Sequence, residues 1–191
     1  MSLTATPVTT AAAPVAVVAL AFSADAAMRA LYPDPQQDWT YGPAFVRAFG
    51  GRAFHQGTID YLDGYAGAAL WLPPGVHADD AALGALLEAS VPADALDAVL
   101  AGVGQFAGYH PAEAHWYLPL LGVDPARQGH GYGSALLRHA LARSDRDGVP
   151  AYLEATSPRN RALYERHGFA ALGAIRVAGW PPVWPMLRRP R

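Results

Sequence analysis

The sequence predicts a single α/β domain (α+β) in which helices pack on both faces of a β-sheet. First, 191 residues is the length of one ordinary domain. Second, 52% of the residues are hydrophobic and only 16% are charged, which suits a continuous buried core. Third, the apolar run Trp116–Val123 passes directly into a glycine-rich loop and then an amphipathic helix. Strand–loop–helix units of this kind occur where helices cover a sheet.

The composition excludes several classes of function. The formal net charge is -2 and no block of Lys or Arg occurs, so the chain lacks the basic surface that binds nucleic acid. The absence of cysteine removes disulfides, thiolate zinc sites and cysteine nucleophiles. A cysteine-free chain is compatible with a reducing compartment, so we expect a cytoplasmic protein.

The N-terminal region contains an apolar stretch, Ala11–Phe22, that superficially resembles a signal peptide. No Lys or Arg precedes it, Pro14 interrupts it, and it is shorter than the roughly 20 residues that span a membrane. We therefore expect a disordered tail over residues 1–14, a first strand over Val15–Phe22, and a single domain over residues 15–191 with no membrane contact.

The first half of the chain then predicts helices and one hairpin. The helices span Ala24–Leu31, Tyr41–Phe54, Asp80–Ala89 and Asp94–Tyr109. The hairpin joins Thr58–Tyr61 to Gly67–Leu72 through Asp63-Gly64, because glycine tolerates the positive φ of a tight turn. We expect the first two helices to act as lids and the last two to cover a sheet face.

The glycine loop is the strongest functional signal in the second half. Trp116–Val123 predicts a central strand buried on both faces, and the helix after the loop ends at Gly148. Between them, Gly129, Gly131 and Gly133 leave backbone N–H groups exposed at the positive end of the helix dipole. The loop therefore predicts a pyrophosphate site.

Two other nucleotide-binding motifs fit this loop less well. A P-loop requires a lysine, and none lies in the loop or at the start of the helix. A dinucleotide fingerprint requires a third glycine where Ser134 stands, although Glu154 is at about the right spacing for a ribose ligand. Too little sequence follows the loop to build the rest of a dinucleotide domain.

The motifs carry a family resemblance. The segment Gln128–Gly133 resembles Q/R-x-x-G-x-G/A, the acetyl-CoA pyrophosphate motif of the GNAT superfamily of N-acetyltransferases. The segment Ser157–Phe169 resembles that superfamily's N-x-x-x-Y-E-x-x-G-F helix, and Ala151–Ala155 predicts the strand before it. Trp116–Leu118 and Trp184-x-Met186 resemble the puromycin N-acetyltransferase branch. The resemblance covers residues 115–187.

This resemblance implies a fold and an activity. The fold is a mixed, mostly antiparallel sheet of about six or seven strands, split where the cofactor enters. The activity is direct transfer of an acetyl group, through a tetrahedral intermediate, from acetyl-CoA to a primary amine of a small molecule. A non-catalytic CoA-binding or regulatory module and an acetyltransferase for a peptide or protein amine are the alternatives. The family implies a monomer or a homodimer.

The resemblance also implies site residues. Ser157 and Pro158 predict the N-cap and first residue of a helix. Asn160 and Tyr164 then lie at i and i+4 on one face of it, where the family uses the asparagine for the pantetheine arm and the tyrosine as general acid. Glu154 is the candidate base, and His115 is the alternative. The predicted cofactor-binding residues are Leu121, Gly122, Val123, Gln128, Gly129, His130, Gly131, Tyr132, Gly133, Ser134, Asn160 and Tyr164.

Each assignment has a structural alternative. Tyr164 could be a core aromatic, and Glu154 could pair with Arg159. The cluster of His110, Glu113 and His115 lacks a metal-binding motif, so we predict solvated loop residues and no metal. Four aromatic residues are candidates for either the core or the acceptor pocket. They are Trp39, Tyr41, Trp71 and Trp184.

Overall fold

A computed structural model describes residues 3–4, 12–177 and 179–191, of which residues 3, 4 and 63 are described by their backbone alone. The strands are β1 (Leu3–Thr4), β2 (Ile59–Leu62), β3 (Gly67–Leu72), β4 (Trp116–Val123), β5 (Ala151–Ala155), β6 (Ala170–Ala171) and β7 (Trp184–Arg188). The helices are α1 (Ala12–Phe22), α2 (Ala26–Leu31), α3 (Pro35–Gly50), α4 (Arg52–Gln56), α5 (Asp80–Ser90), α6 (Ala93–Ala107), α7 (Tyr132–Asp147) and α8 (Pro158–Arg166).

The strands form one seven-stranded sheet in the order β1-β2-β3-β4-β5-β7-β6. Every neighbouring pair is antiparallel except β4 and β5, which are parallel. The mixed, mostly antiparallel sheet predicted from the sequence is therefore confirmed. The hairpin is also confirmed, with Ile59 opposite Leu70 and a φ of +69° at Gly64 in the turn.

The prediction for the N-terminal region is wrong. Residues 15–22 form most of helix α1 instead of a strand. Pro14 lies in the first turn of this helix. The N–H groups of a first turn form no intrahelical hydrogen bond, so the missing N–H of proline costs none there. Of the predicted tail, residues 12–14 belong to α1 and residues 3–4 form β1, while residues 1–2 and 5–11 lie outside the described part of the chain.

Helices cover both faces of the sheet. On one face, α7 packs its apolar side onto β3, β4 and β5 around Trp71, Leu118 and Leu153. On the other face, α1 and α3 pack onto Leu70, Leu120 and the neighbouring strand residues. A third cluster joins α2, α3, α5 and α6 away from the sheet. This helical layer forms part of the wall of one of the two cavities described below.

The sheet opens between β4 and β5. These strands pair only from Trp116 opposite Ala151 to Leu118 opposite Leu153. Pro119 follows and has no N–H to continue the ladder. The register with β3 also shifts here, because Leu70 lies opposite Leu120 while Leu72 lies opposite Tyr117. A bulge in β4 thus diverts the strand and splits the sheet, as the family resemblance predicts.

Candidate active site

Two adjoining cavities lie at the split in the sheet. The loop cavity, about 570 Å³, is lined by the glycine loop and the first turn of α7. The apolar cavity, about 420 Å³, is lined by residues of α2, α3, α5 and α6 together with the middle of β4, the end of β5 and one face of α8. Both linings include Phe22, Asp25, Leu121 and Asn160. A ligand in one cavity can therefore meet a ligand in the other.

The glycine loop has a backbone that only glycine adopts readily. Gly129 and Gly131 have φ values of +83° and +82°, in the left-handed region that side chains disfavour. A Cβ built at either residue meets nothing within 4 Å, so the space before the loop is open. Gly131 is also the N-cap of α7 and provides no side-chain cap for its first N–H groups. The loop can accordingly bind an anion through main-chain amides.

Two other glycines near the loop allow close packing. A Cβ on Gly133 would lie 3.3 Å from Cδ2 of Leu163, so this glycine lets α7 and α8 approach each other. A Cβ on Gly122 would lie 2.9 Å from Cα of Val18, where α1 crosses β4. Both glycines line the loop cavity as well.

The loop cavity is rich in positive charge. Arg127, Arg159 and Arg166 line it, and Nη1 of Arg159 donates to Oε1 of Gln128 at 3.2 Å. The alternative in which Glu154 pairs with Arg159 is therefore wrong, because Arg159 contacts Gln128 and Glu154 contacts Tyr117. Guanidinium groups beside open backbone amides suit a phosphorylated ligand.

Most of the predicted cofactor-binding residues line the loop cavity. They are Leu121, Gly122, Val123, Gln128, Gly129, Gly131, Tyr132, Gly133, Ser134 and Asn160. His130 is different because it is exposed and lies outside both linings, with Nδ1 at 3.2 and 3.0 Å from the carbonyl oxygens of Arg127 and Gln128. Tyr164 lines the apolar cavity instead.

Helix α8 begins as its sequence predicts. Ser157 is the N-cap and accepts the N–H of Asn160 at 3.1 Å, and Pro158 follows at the first helical position. Asn160 and Tyr164 consequently lie one turn apart on one face of the helix, and both line the apolar cavity.

Tyr164 is at once a core residue and a cavity residue. Its side chain is buried and packs edge-on against Phe169, with ring centroids 6.0 Å apart. Burial, with smaller contributions from the carboxylates of Asp25 and Glu154, raises the pKa of Tyr164 above its usual range. The hydroxyl therefore keeps its proton throughout the neutral and mildly alkaline range.

Glu154 lies at the end of β5 with its carboxylate buried at the edge of the apolar cavity. The side chain is 7% exposed, and Oε2 accepts a hydrogen bond of 2.9 Å from the hydroxyl of Tyr117. Oε1 accepts no hydrogen bond from the described residues, although Nε2 of His110 lies 3.3 Å away. Oε1 is therefore a buried oxygen in ion-pair contact with His110, and the carboxylate can take up a proton relayed through this contact or from a bound molecule.

The residues around Glu154 form a compact aromatic cluster. The ring of His110 lies 4.7 Å from that of Tyr117 and 5.6 Å from that of His115. Burial, with Glu154 adding to the effect, raises the pKa of Tyr117 well above its usual value. Burial lowers the pKa of His115 and the neighbouring His110 adds to this, while a bond from Nδ1 to the carbonyl of Glu113 opposes it. His115 is therefore a neutral imidazole near pH 7.

The predicted loop cluster of His110, Glu113 and His115 divides in the structure. Glu113 is exposed and pairs with Arg189, whereas His110 is only 29% exposed and contacts Glu154. The prediction of solvated residues is therefore wrong for His110. In the described ranges, no group of three or more His, Asp or Glu side chains is arranged to bind a metal.

The apolar cavity is walled by residues that the sequence alone did not single out. Trp39 is 80% exposed, Trp71 is buried in the core, Tyr41 stacks on Tyr32, and Trp184 packs on the core beneath Arg161. None of the four predicted aromatics lines either cavity, which corrects the prediction for the acceptor pocket. The wall instead contains Phe22, Phe45, Phe49, Leu83, Val103, Phe106 and Trp180.

The two cavities together bring three functional groups close to one another. An open main-chain anion site adjoins a cavity that contains a protonated phenol, Tyr164, and a buried carboxylate, Glu154. These groups can hold a phosphorylated ligand, donate one proton and accept another.

Comparison with known proteins identifies a family. The model described as "Acetyltransferase (GNAT) family" matches residues 34–169. A crystal structure described as a histone acetyltransferase HPA2 and related acetyltransferase, from Corynebacterium glutamicum, is 28% identical in sequence. The alignment covers 100% of this chain and 98% of that chain, with a TM-score of 0.68.

Two curated relatives match shorter segments. An uncharacterized N-acetyltransferase of Schizosaccharomyces pombe is 41% identical over 54 residues, or 28% of this chain and 22% of that protein. A mycothiol acetyltransferase of Beutenbergia cavernae is 41% identical over 75 residues, or 37% of this chain and 25% of that protein. The matches thus span about a quarter of each relative's length.

Proposed function

Because the chain belongs to the GNAT family of acetyltransferases, we propose that it is an acetyl-CoA-dependent N-acetyltransferase that acts on a primary amine of a small molecule. One observation carries the proposal. The anion-binding loop cavity adjoins the apolar cavity at the split in the sheet, and Asn160 lines both. This arrangement lets a cofactor and an acceptor approach each other from two sides.

The residues of the loop cavity fit coenzyme A. The backbone amides of residues 129–134 suit its diphosphate, and Arg127, Arg159 and Arg166 suit its phosphate charge. Leu121 and Asn160, at the junction of the cavities, would contact the arm that carries the thioester. When bound, acetyl-CoA would supply the acyl group as a reactive thioester.

We assign the role of general acid to Tyr164. Its raised pKa keeps the hydroxyl protonated at the pH of catalysis, so it can donate to the sulfur as the C–S bond breaks. Its position one turn after Asn160, which lines both cavities, supports this role. Loss of such a donor typically costs about 10²- to 10⁴-fold in rate.

We assign the role of general base to Glu154. An ammonium must lose a proton before its nitrogen can attack a carbonyl carbon, and Oε1 of Glu154 is a buried acceptor without a hydrogen bond from the described residues. His110, 3.3 Å away and partly exposed, would pass that proton to water. His115 is the alternative base, since the lowered pKa leaves its ring neutral. The amine can then attack directly, with no acyl-enzyme.

The alternative of a non-catalytic CoA-binding module would require Tyr164 and Glu154 to lie apart from the cofactor. Both line the apolar cavity that adjoins the loop cavity, which favours catalysis. The other alternative is that the acceptor is an amine of a peptide or protein. The experiment below tests this alternative.

A cysteine-free chain does not depend on an oxidising compartment, and we propose that the protein works in the cytoplasm as a monomer or homodimer. No helix in the described part of the chain is long and apolar enough to cross a membrane.

Two measurements test the proposal. Calorimetry should detect binding of both CoA and acetyl-CoA, because both carry the diphosphate. A thiol-release assay with acetyl-CoA should then detect turnover on a panel of small primary amines, with a peptide of free N-terminus as comparison. Binding without turnover on any amine would favour the non-catalytic module, and absence of binding would contradict the proposal altogether.

A further inference from the structure

The apolar cavity has a chemical character that restricts the acceptor. Its volume of about 420 Å³ is within the usual range of small-molecule sites, and hydrocarbon side chains form most of its lining. Rings from three directions contribute: Phe22 at the end of α1, Phe45 and Phe49 on α3, and Phe106 on α6. Such a wall favours an acceptor whose body, meaning the part other than the reacting amine, is aliphatic or aromatic. It disfavours an acceptor whose body is polar and hydrated.

Helix α6 provides a continuous apolar stripe in this wall. Val99, Val103 and Phe106 line the cavity at helical spacing, whereas Leu100 lies outside the lining. Val103 and Leu100 are nonetheless similarly exposed, at 37% and 40%. The exposed surface of Val103 therefore forms part of the cavity wall, where a ligand can cover it.

The residues of fixed formal charge around the apolar cavity are all acidic. Glu154, Asp25 and Asp80 line it together with three imidazoles, His77, His110 and His115, and no Arg is among its described lining residues. The chain also contains no lysine at all. An acceptor that carries a carboxylate would meet the buried carboxylate of Glu154 and no guanidinium partner. Its own carboxylate would also lose hydration against the apolar wall, which is unfavourable. The loop cavity, with its three arginines, has the opposite character.

The three carboxylates do not offer a second ammonium site. Asp25 already accepts the N–H groups of Ala27 and Met28 and the hydroxyl of Thr156. Asp80 is exposed, so water screens its charge. The buried carboxylate of Glu154 contacts Tyr117 and His110, and it is already assigned to the reacting amine.

We infer that the acceptor is an apolar primary monoamine, with an alkyl or arylalkyl body and no carboxylate. This inference rests on the proposed function and adds the substrate class to it. The amine lies toward Glu154, and the apolar body lies against the α3 and α6 wall. Amino acids and polyamines are then poor acceptors.

The first test uses matched pairs of acceptors in the thiol-release assay. 2-Phenylethylamine should exceed phenylalanine, and hexylamine should exceed 1,6-diaminohexane, each by about tenfold or more in kcat/KM, the scale that apolar pockets typically discriminate. Each pair differs by one charged group. Equal or reversed preference in both pairs would overturn the inference while leaving the acetyltransferase function intact. If no amine is acetylated and CoA does not bind, the proposed function is overturned and this inference with it.

The second test changes the wall. Val103→Glu should shift the hexylamine to 1,6-diaminohexane preference toward the diamine by about tenfold, because it places a carboxylate beside the apolar body. Leu100→Glu is the matched control, since it lies on the same helix at similar exposure but outside the lining. A changed ratio in V103E alone supports the inference. An unchanged ratio in V103E, or an equal change in L100E, shows that the body does not lie on this wall and overturns it.

Discussion

The hydroxyl of Tyr117 donates a 2.9 Å hydrogen bond to Oε2 of Glu154, across the two strands that separate at the active-site split. Beyond Leu118 and Leu153, β4 and β5 no longer pair. This side-chain bond therefore spans the strands close to where the backbone ladder ends. The other carboxylate oxygen, Oε1, lies 3.3 Å from Nε2 of His110, so the carboxylate is held between the phenol and the imidazole.

Glu154→Gln should lower kcat/KM by about 10²-fold or more, because the amide retains the size of the side chain but cannot accept the proton of an ammonium. The acidic limb of the pH–rate profile should also change, since the titrating base is gone. The measurement is kcat/KM as a function of pH with the best amine acceptor. Glu165→Gln is the control, as Glu165 is exposed and paired with Arg161. If E154Q keeps the wild-type acidic limb, His115 or water is the base.

Tyr164→Phe should lower kcat by about 10²-fold or more while CoA affinity is retained, because Tyr164 lines the apolar cavity and lies outside the loop cavity lining. The raised pKa further predicts no loss of wild-type activity from Tyr164 ionisation below about pH 10. Steady-state kinetics and calorimetry check the two parts. Tyr41→Phe is the control because Tyr41 lines neither cavity. Unchanged turnover in Y164F would remove Tyr164 from the mechanism.

Gly131→Val should abolish measurable CoA binding, because a side chain would fill the open space before the amides and strain a φ of +82°. Gly57→Val is a matched control, since Gly57 has a φ of +63° and lines neither cavity. Calorimetry with CoA, after circular dichroism to check folding, separates occlusion from strain. Retained affinity in G131V, or equal loss in both variants, would mean that the loop does not bind the diphosphate.

The sequence predicted the parts of the fold that local patterns encode. Strands β4 and β5 and the N-cap of α8 were predicted at their observed positions, because an apolar run and a Ser-Pro cap are local signals. Helix α1 was predicted as a strand because its residues are apolar on all sides, so periodicity could not distinguish a helix from a strand.

The wall of the apolar cavity could not be predicted in the same way. Its residues come from helices that meet only through tertiary packing, so no sequence spacing marks Phe49, Phe106 and Trp180 as neighbours of one cavity. Trp180 lines the cavity and Trp184 does not, although both are tryptophans in the same C-terminal segment. The contact of His110 with Glu154 is likewise long-range.

The last prediction concerns stability and His167, whose Nε2 lies 3.0 Å from Oγ of Ser134 in the first turn of α7. Burial lowers the pKa of His167, and the charges of Arg138, Arg166, Arg188 and Arg191 add to this effect. The unfolded chain therefore binds a proton more readily than the folded protein. The contribution of neutral His167 to the free energy of unfolding is fully present above the pKa of this residue in the unfolded chain, about 6.5. It is lost as the pH decreases through the lower pKa of the folded protein.

His167→Gln should reduce this acid sensitivity, because glutamine can still bond to Ser134 but takes up no proton. The measurement is the change in Tm between about pH 7.5 and pH 5.5, a window that includes the ordinary histidine pKa. The decrease in Tm should be smaller in H167Q than in the wild type, whatever the absolute Tm of the variant. His55→Gln, at an exposed position, should leave the decrease unchanged. If H167Q loses as much Tm as the wild type over this range, protonation of His167 is not what destabilises the fold in acid.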